Sequence, residues 1–188
     1  MVNHHAPGGE KNMPCPEHTD ADENTGFIAR RIAERINASL IIACNYRIDP
    51  NKNVLTDYAL QVSQWMPVFL VEIHGHGARK KENPRKPDDM TIEISSGSIE
   101  RNKVSMAFSE LLKQKFDATE QLKHYTISGD FSNIYFTARS TSKIIDNRWT
   151  SLHIELPPSL RIGNDLNLPP VADRLIDALI ETINEFCI

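Results

Sequence analysis

The chain is poor in cysteine: 188 residues carry three, Cys15, Cys44 and Cys187, and none forms a Cys-x-x-Cys pair. That scarcity excludes a disulfide framework and a zinc ribbon alike. Long apolar runs are missing too. The longest, Ser39 to Cys44, is far too short to span a bilayer. Positive charge has no surplus, since 21 Lys+Arg stand against 25 Asp+Glu for a net charge of −4, so there is no electrostatic footprint for nucleic acid. Met1 to Pro16 holds His, Gly and Pro where a signal peptide has its apolar core. Gly8-Gly9 lacks the Gly-Lys-Ser/Thr ending of a phosphate loop. No internal repeat is visible. These absences lead to the expectation of a reduced, cytoplasmic protein that binds neither nucleic acid nor membrane.

With 40% apolar and 24% charged residues the composition is that of a globular protein. The length suits a single domain over residues 1–188, with 1–24 as a loop region. One feature is in excess. Of seven histidines, five fall in the first 76 residues, and four of those form two tight pairs, His4-His5 and His74-x-His76.

From Thr25 the pattern becomes helical. Phe27, Ile28, Ile32 and Ile36 share one face, Arg30, Arg31, Glu34 and Arg35 the other, and Asp22 to Thr25 offer capping chemistry. The spacing predicts a helix from about Thr25 to Asn37. Ser39–Cys44 reads as a buried strand, and a weaker helix passes through Tyr58, Leu60, Val62 and Trp65. A second buried strand, 67–73, ends at His74-Gly75-His76-Gly77. Strands are expected at 90–94, near 125–127 and at 151–156, with helices at 104–116 and about 170–186. Helices alternating with short apolar strands predict an α/β layered fold, a mixed but mostly parallel sheet flanked by helices, of the phosphorylase/hydrolase-like kind.

In open α/β sheets, functional groups gather beyond the carboxyl ends of the strands. His74 and His76 fall at such an end, and alternating glycines let the backbone turn sharply and approach a ligand closely. Neutral imidazole, a second histidine and a carboxylate from other loops are the donors of a catalytic zinc site with one open position. His5 or His4 can supply the second nitrogen, and Glu23 or Glu10 the oxygen. Glu155 lies between Leu152, Ile154 and Leu156 in an inner strand, where an unpaired carboxylate is costly to bury. It suits the general base or acid of metal-assisted hydrolysis; the competing reading is an ion pair with Arg139, Arg148 or Arg161. Arg47 and Lys52 are candidates to hold an anionic substrate, against a plain Arg47–Asp49 surface pair. The 79–86 charge cluster has no interleaved aromatics and reads as a solvated loop.

These clusters, in this order, resemble the N-formylglutamate amidohydrolase family, metal-dependent amide hydrolases sharing the fold of zinc carboxypeptidases and poly-γ-glutamate hydrolases. His5 matches the family's early histidine, and Glu23, before Thr25-Gly26-Phe27, its acidic ligand. Asp49-Pro50-Asn51-Lys52 resembles an Asp-x-Asn-Arg segment, His74 the second histidine, and Glu155 the late glutamate. The resemblance implies one divalent ion, zinc, held by His5, Glu23 and His74, and a water that attacks an amide carbonyl. It implies that Glu155 moves the proton, while Arg47, Asn51 and Lys52 bind a small carboxylated amide substrate of N-formyl, N-acyl or glutamyl type. Lys52 stands where the family has arginine, and Glu10, five residues after His5, competes with Glu23 for the ion.

Overall fold

A computed structural model describes residues 22–43, 49–77 and 83–187. Five α-helices and four strands follow in the order α1 (Thr25–Ile36), α2 (Asp57–Trp65), β1 (Phe69–Gly75), β2 (Thr91–Ser95), α3 (Asn102–Asp117), β3 (Thr126–Ser128), β4 (Thr150–Leu156), α4 (Pro158–Arg161) and α5 (Val171–Phe186), with a 3-10 turn at Asn164–Leu166 before α5.

The sheet has the order β1-β4-β2-β3. β1 runs parallel to β4 and β2 parallel to β3, while β2 meets β4 antiparallel. The fold is therefore α/β with a mixed, mostly parallel sheet, as the alternation of elements predicts.

Residues on a strand alternate between faces, so each strand divides its side chains into two sets. One face carries Phe69, Val71 and Ile73 of β1, Ile92 and Ile94 of β2, and Leu152, Ile154 and Leu156 of β4. It packs against Ile28 and Ile32 of α1, Phe108 and Leu112 of α3, and Leu175, Ile176 and Leu179 of α5 to form the main core. These helices have apolar stripes at helical spacing, and burying those stripes against the sheet stabilises both. The other face holds Glu72, His74, Glu93, Ser95, Ser151, His153 and Glu155. All seven are buried. α2 covers its β1 end, where Tyr58, Ala59 and Val62 pack with Ala43, Trp149 and Leu70. Thr56 caps α2, its hydroxyl accepting from the Ala59 amide at 3.2 Å.

One expected element does not form as read. Among the described residues of 39–44, only Ala43 makes a strand bridge, and Ser39 is exposed. A short apolar run is ambiguous by periodicity alone. Here Leu40 and Ile41 instead line an apolar groove beside β1 with Ile36 and Trp65.

Candidate functional site

The polar face becomes a site because the register of β1 and β4 aligns two acid–histidine pairs. Glu72 lies opposite His153, and His74 opposite Glu155. Antiparallel pairing sets Glu93 opposite Glu155 and Ser95 opposite His153. His74 and Glu155 stand nearest the carboxyl ends of their parallel strands, where such sheets place functional groups. Glu72 and His153 form the layer beneath.

Glu72 is fully buried and held from three directions. The Tyr58 hydroxyl donates to Oε1 at 2.5 Å. Oε2 lies 3.4 Å from His153 Nδ1 and 3.8 Å from His74 Nε2. Burial alone would push the Glu72 carboxyl up, but hydrogen bonds from His153 and His74, with the charges of both rings, hold it well below the usual carboxylate range. The two imidazoles stack with centroids 4.3 Å apart.

Each ring also meets a second carboxylate. His74 Nδ1 is 2.8 Å from an Asp22 oxygen at the head of α1. His153 Nε2 is 2.9 Å from Glu155 Oε1. Burial works against charging His74, yet hydrogen bonds to Asp22 and Glu72 and the nearby acids raise it to about 10. His153 is raised as well: burial and the His74 charge oppose protonation, and Glu155 and Glu72 overcome them. The His74 ring is therefore cationic at neutral pH in the metal-free protein, and its proton balances the acids around it.

The donor chemistry fits a divalent ion. Glu72, His74 and His153 each offer a ligand atom, all within 4.8 Å of one another. Donors around a tetrahedral ion with bonds of about 2.0–2.1 Å stand roughly 3.3 Å apart, close to the 3.4 and 3.8 Å here. Carboxylates on the outer ring nitrogens are the usual partners of ligating histidines. On the Nδ1 side of His74 the carboxylates belong to the α1 head, Asp22 in contact and Glu23 next in sequence.

The candidates named from sequence fall into three groups. His5, with its alternative His4, Glu10 and Arg47 lie outside the described residues. His74 and Glu155 come together as expected, and the partner of Glu155 is His153; none of its hydrogen bonds or ion pairs among the described residues is with Arg139, Arg148 or Arg161. Glu23, Asn51 and Lys52 make contacts of their own: Glu23 pairs with Arg161, and Lys52 Nζ lies 3.1 Å from Asp49. Asn51 is buried in the same turn, its amide donating to Asp49 and its carbonyl accepting from the Ser142 amide at 2.7 Å.

Sequence reasoning assigned no catalytic or metal-binding role to Glu72, His153 and Tyr58, and only a capping one to Asp22. For two of them the signal was present, since Glu72/His74 and His153/Glu155 each sit two apart in a strand and so share a face. Asp22 and Tyr58 reach the site only through tertiary packing.

His76 takes a different part from His74. Its Nε2–H donates to the Thr91 carbonyl at 2.7 Å, and its ring stacks on Phe136. Burial lowers its basicity, partly countered by the Thr91 carbonyl, so it is neutral. Glu93 anchors the same wall. It accepts from the backbone amides of Tyr135 and Phe136 at 2.8–3.0 Å, while burial raises its carboxyl against those bonds and the Glu155 charge raises it further.

No family model matches the sequence, and no curated protein matches it. Two solved structures do. The catalytic domain of CwlV, an N-acetylmuramoyl-L-alanine amidase from Bacillus (Paenibacillus) polymyxa var. colistinus, matches over 99% of this chain and 97% of that one, with TM-score 0.50 and 12% identity. The N-acetylmuramoyl-L-alanine amidase AmiC2 of Nostoc punctiforme matches over 97% of this chain and 88% of that one, with TM-score 0.42 and 12% identity. Neither is an N-formylglutamate amidohydrolase. At this identity the likeness is one of architecture: over nearly its whole length, the chain has the fold of the CwlV catalytic domain.

Proposed function

We propose that this protein is a metal-dependent hydrolase of an amide bond between an acyl group and the nitrogen of an amino acid. The observation that carries the reading is the side-by-side placement of His74 and Glu155 at the carboxyl ends of two paired parallel strands. N-formylglutamate, suggested by the sequence resemblance, and the N-acetylmuramoyl-L-alanine unit named in the structural neighbours both contain that bond. The substrate class is thus an N-acylated amino acid or glutamyl compound, free or at the end of a larger molecule.

In this reading His74 holds the ion, and His5 and Glu23 are its co-ligands. Zinc, when bound, lowers the pKa of a water molecule and polarises a carbonyl. Glu155 takes the proton from the attacking water and delivers it to the departing amine, so that a carboxylic acid and a free amine leave. His153 fixes the Glu155 carboxylate through Oε1, and Glu72 faces the other nitrogen of the His74 ring, Nε2, away from the α1 head. Arg47, Asn51 and Lys52 bind the substrate carboxylate.

A specific observation favours a second reading, a non-catalytic metal-binding protein. Glu72, His74 and His153 already offer ligand atoms within 4.8 Å of one another, all three residues are buried, and this set takes neither His5 nor Glu23. Zinc titration of two variants separates the readings. Glu23→Ala is expected to weaken zinc about 10-fold or more, and Glu72→Ala less. Stoichiometric zinc lost only in Glu72→Ala, with no turnover on a panel of N-acyl amino acids, would establish the second reading instead.

A further inference from the structure

Arg161 closes α4 directly after the strand that carries Glu155, and it is 2% exposed. Its guanidinium joins three elements of the site. Nε donates to the Leu156 carbonyl at the end of β4 at 3.3 Å, and Nη2 to the His76 carbonyl just past β1 at 3.0 Å. Nη1 binds the Glu23 carboxylate and, at 3.3 Å, the Glu23 carbonyl. Its own carbonyl accepts from Asn24 Nδ2 at 2.8 Å. Asn24 begins α1 in a left-handed conformation with φ 62°, and its side chain makes no cap to the helix because it reaches Arg161 instead. The segment Asp22–Asn24 is therefore gripped at Glu23 and Asn24, one residue from the carboxylate on His74 Nδ1.

Gly75 explains how the arginine fits. A Cβ there would stand 2.2 Å from Arg161 Nε and 2.4 Å from Cζ. The glycine between His74 and His76 admits this guanidinium, where the sequence pattern suggested close approach of a ligand.

We propose that Arg161 is a positioning residue of the metal centre, acting through the α1 head to set the Glu23 and Asp22 carboxylates relative to His74. A planar guanidinium with donors in a fixed fork suits this work, because one group can hold a carboxylate and two strand-end carbonyls at defined angles. A lysine has the charge without the fork. The proposal rests on the functional reading above.

The test is a double-mutant cycle read as zinc affinity, by competition with a chromophoric chelator, on variants whose cooperative melting shows them folded. Arg161→Met is expected to weaken zinc about 10-fold or more in the wild-type background, as for disrupted partners of metal ligands, and to add less than about 2-fold in a Glu23→Gln background. Arg161→Lys should recover only a small part of the loss. Gly75→Ala, which displaces the guanidinium without deleting it, should reproduce the Arg161→Met loss and serves if that variant does not fold. Wild-type affinity in Arg161→Met or Gly75→Ala, full recovery in Arg161→Lys, or losses that add fully with Glu23→Gln would overturn the positioning role. A wild-type protein that binds no zinc would overturn the functional reading, and this proposal with it.

Discussion

His74 carries the largest consequence at the scale of a single residue. Its folded pKa, about 10, lies above the ordinary value of 6.5. A group raised in this way contributes stability that is fully present below its unfolded pKa and is lost as pH rises through the folded one. The metal-free protein should therefore lose stability progressively between pH 6.5 and about 10. Glu72 acts in the opposite sense: its carboxyl is depressed, so its contribution is present above 4.5 and fades as acid protonates it. Urea midpoints measured against pH should thus fall on the alkaline side in wild type and fall less there in His74→Ala, where only His153 still titrates in this site. An unchanged alkaline slope in the variant would place the titration elsewhere. The same protonation predicts that zinc uptake at pH 7 releases a proton from His74, measurable as acidification in weakly buffered solution. Glu155 has the complementary role. Glu155→Gln should keep zinc and lose kcat by about 100- to 10,000-fold, the usual worth of a positioned acid–base group.

At the scale of elements, the site depends on strand register more than on any loop. A slip of β1 by one residue against β4 would carry Glu72 and His74 into the apolar layer and away from His153 and Glu155, so the core residues on the opposite face fix the chemistry. Ile154, wholly buried between His153 and Glu155, is one such residue. Ile154→Ala should cost about 2–5 kcal/mol through lost transfer and cavity energy, measurable by urea unfolding. The ion pairs Arg31–Asp173 and Arg35–Asp177, which join α1 to α5, are exposed on both sides. Asp173→Asn should change stability by less than about 1 kcal/mol.

Most elements were legible in the sequence because their periods were strong. The stripe of Ile28, Ile32 and Ile36 predicts α1, and Leu175, Ile176 and Leu179 predict α5. The run Ser39–Cys44 misled because six apolar or small residues fit a strand or a groove wall equally, and only packing decides. Among site residues, His74 and Glu155 were legible from their positions in strands. Asp22 and Arg161 were not, because a contact across 52 residues and one across 138 leave no local pattern.

The whole molecule is a sheet with one dry face and one ionised face. Helices α1, α3 and α5 bury the apolar side, and α2 with the 135–136 segment covers the other. The net charge of −4 says nothing of this division. Buried carboxylates are tolerated because each named acid meets a histidine, a hydroxyl, an arginine or backbone amides, as buried charge requires. No helix among the described residues is long and apolar enough to cross a membrane. Because the acids are balanced by protons when no metal is bound, zinc should act on the whole fold by mass action. At about 100 times its Kd it should add roughly 2.7 kcal/mol of stability. For a chain of this length that is a rise in Tm of roughly 5–10 °C, absent in His74→Ala.

The central claim is metal-dependent amide hydrolysis, and one measurement meets it directly. Protein stripped by a chelator and titrated with zinc is assayed for release of free amine from N-formyl- and N-acyl-amino acids and from an N-acetylmuramoyl peptide. The account predicts no turnover after stripping, full recovery near one equivalent of zinc, and no recovery in Glu155→Gln. Turnover indifferent to the chelator, or zinc bound stoichiometrically with every substrate left intact, would contradict it.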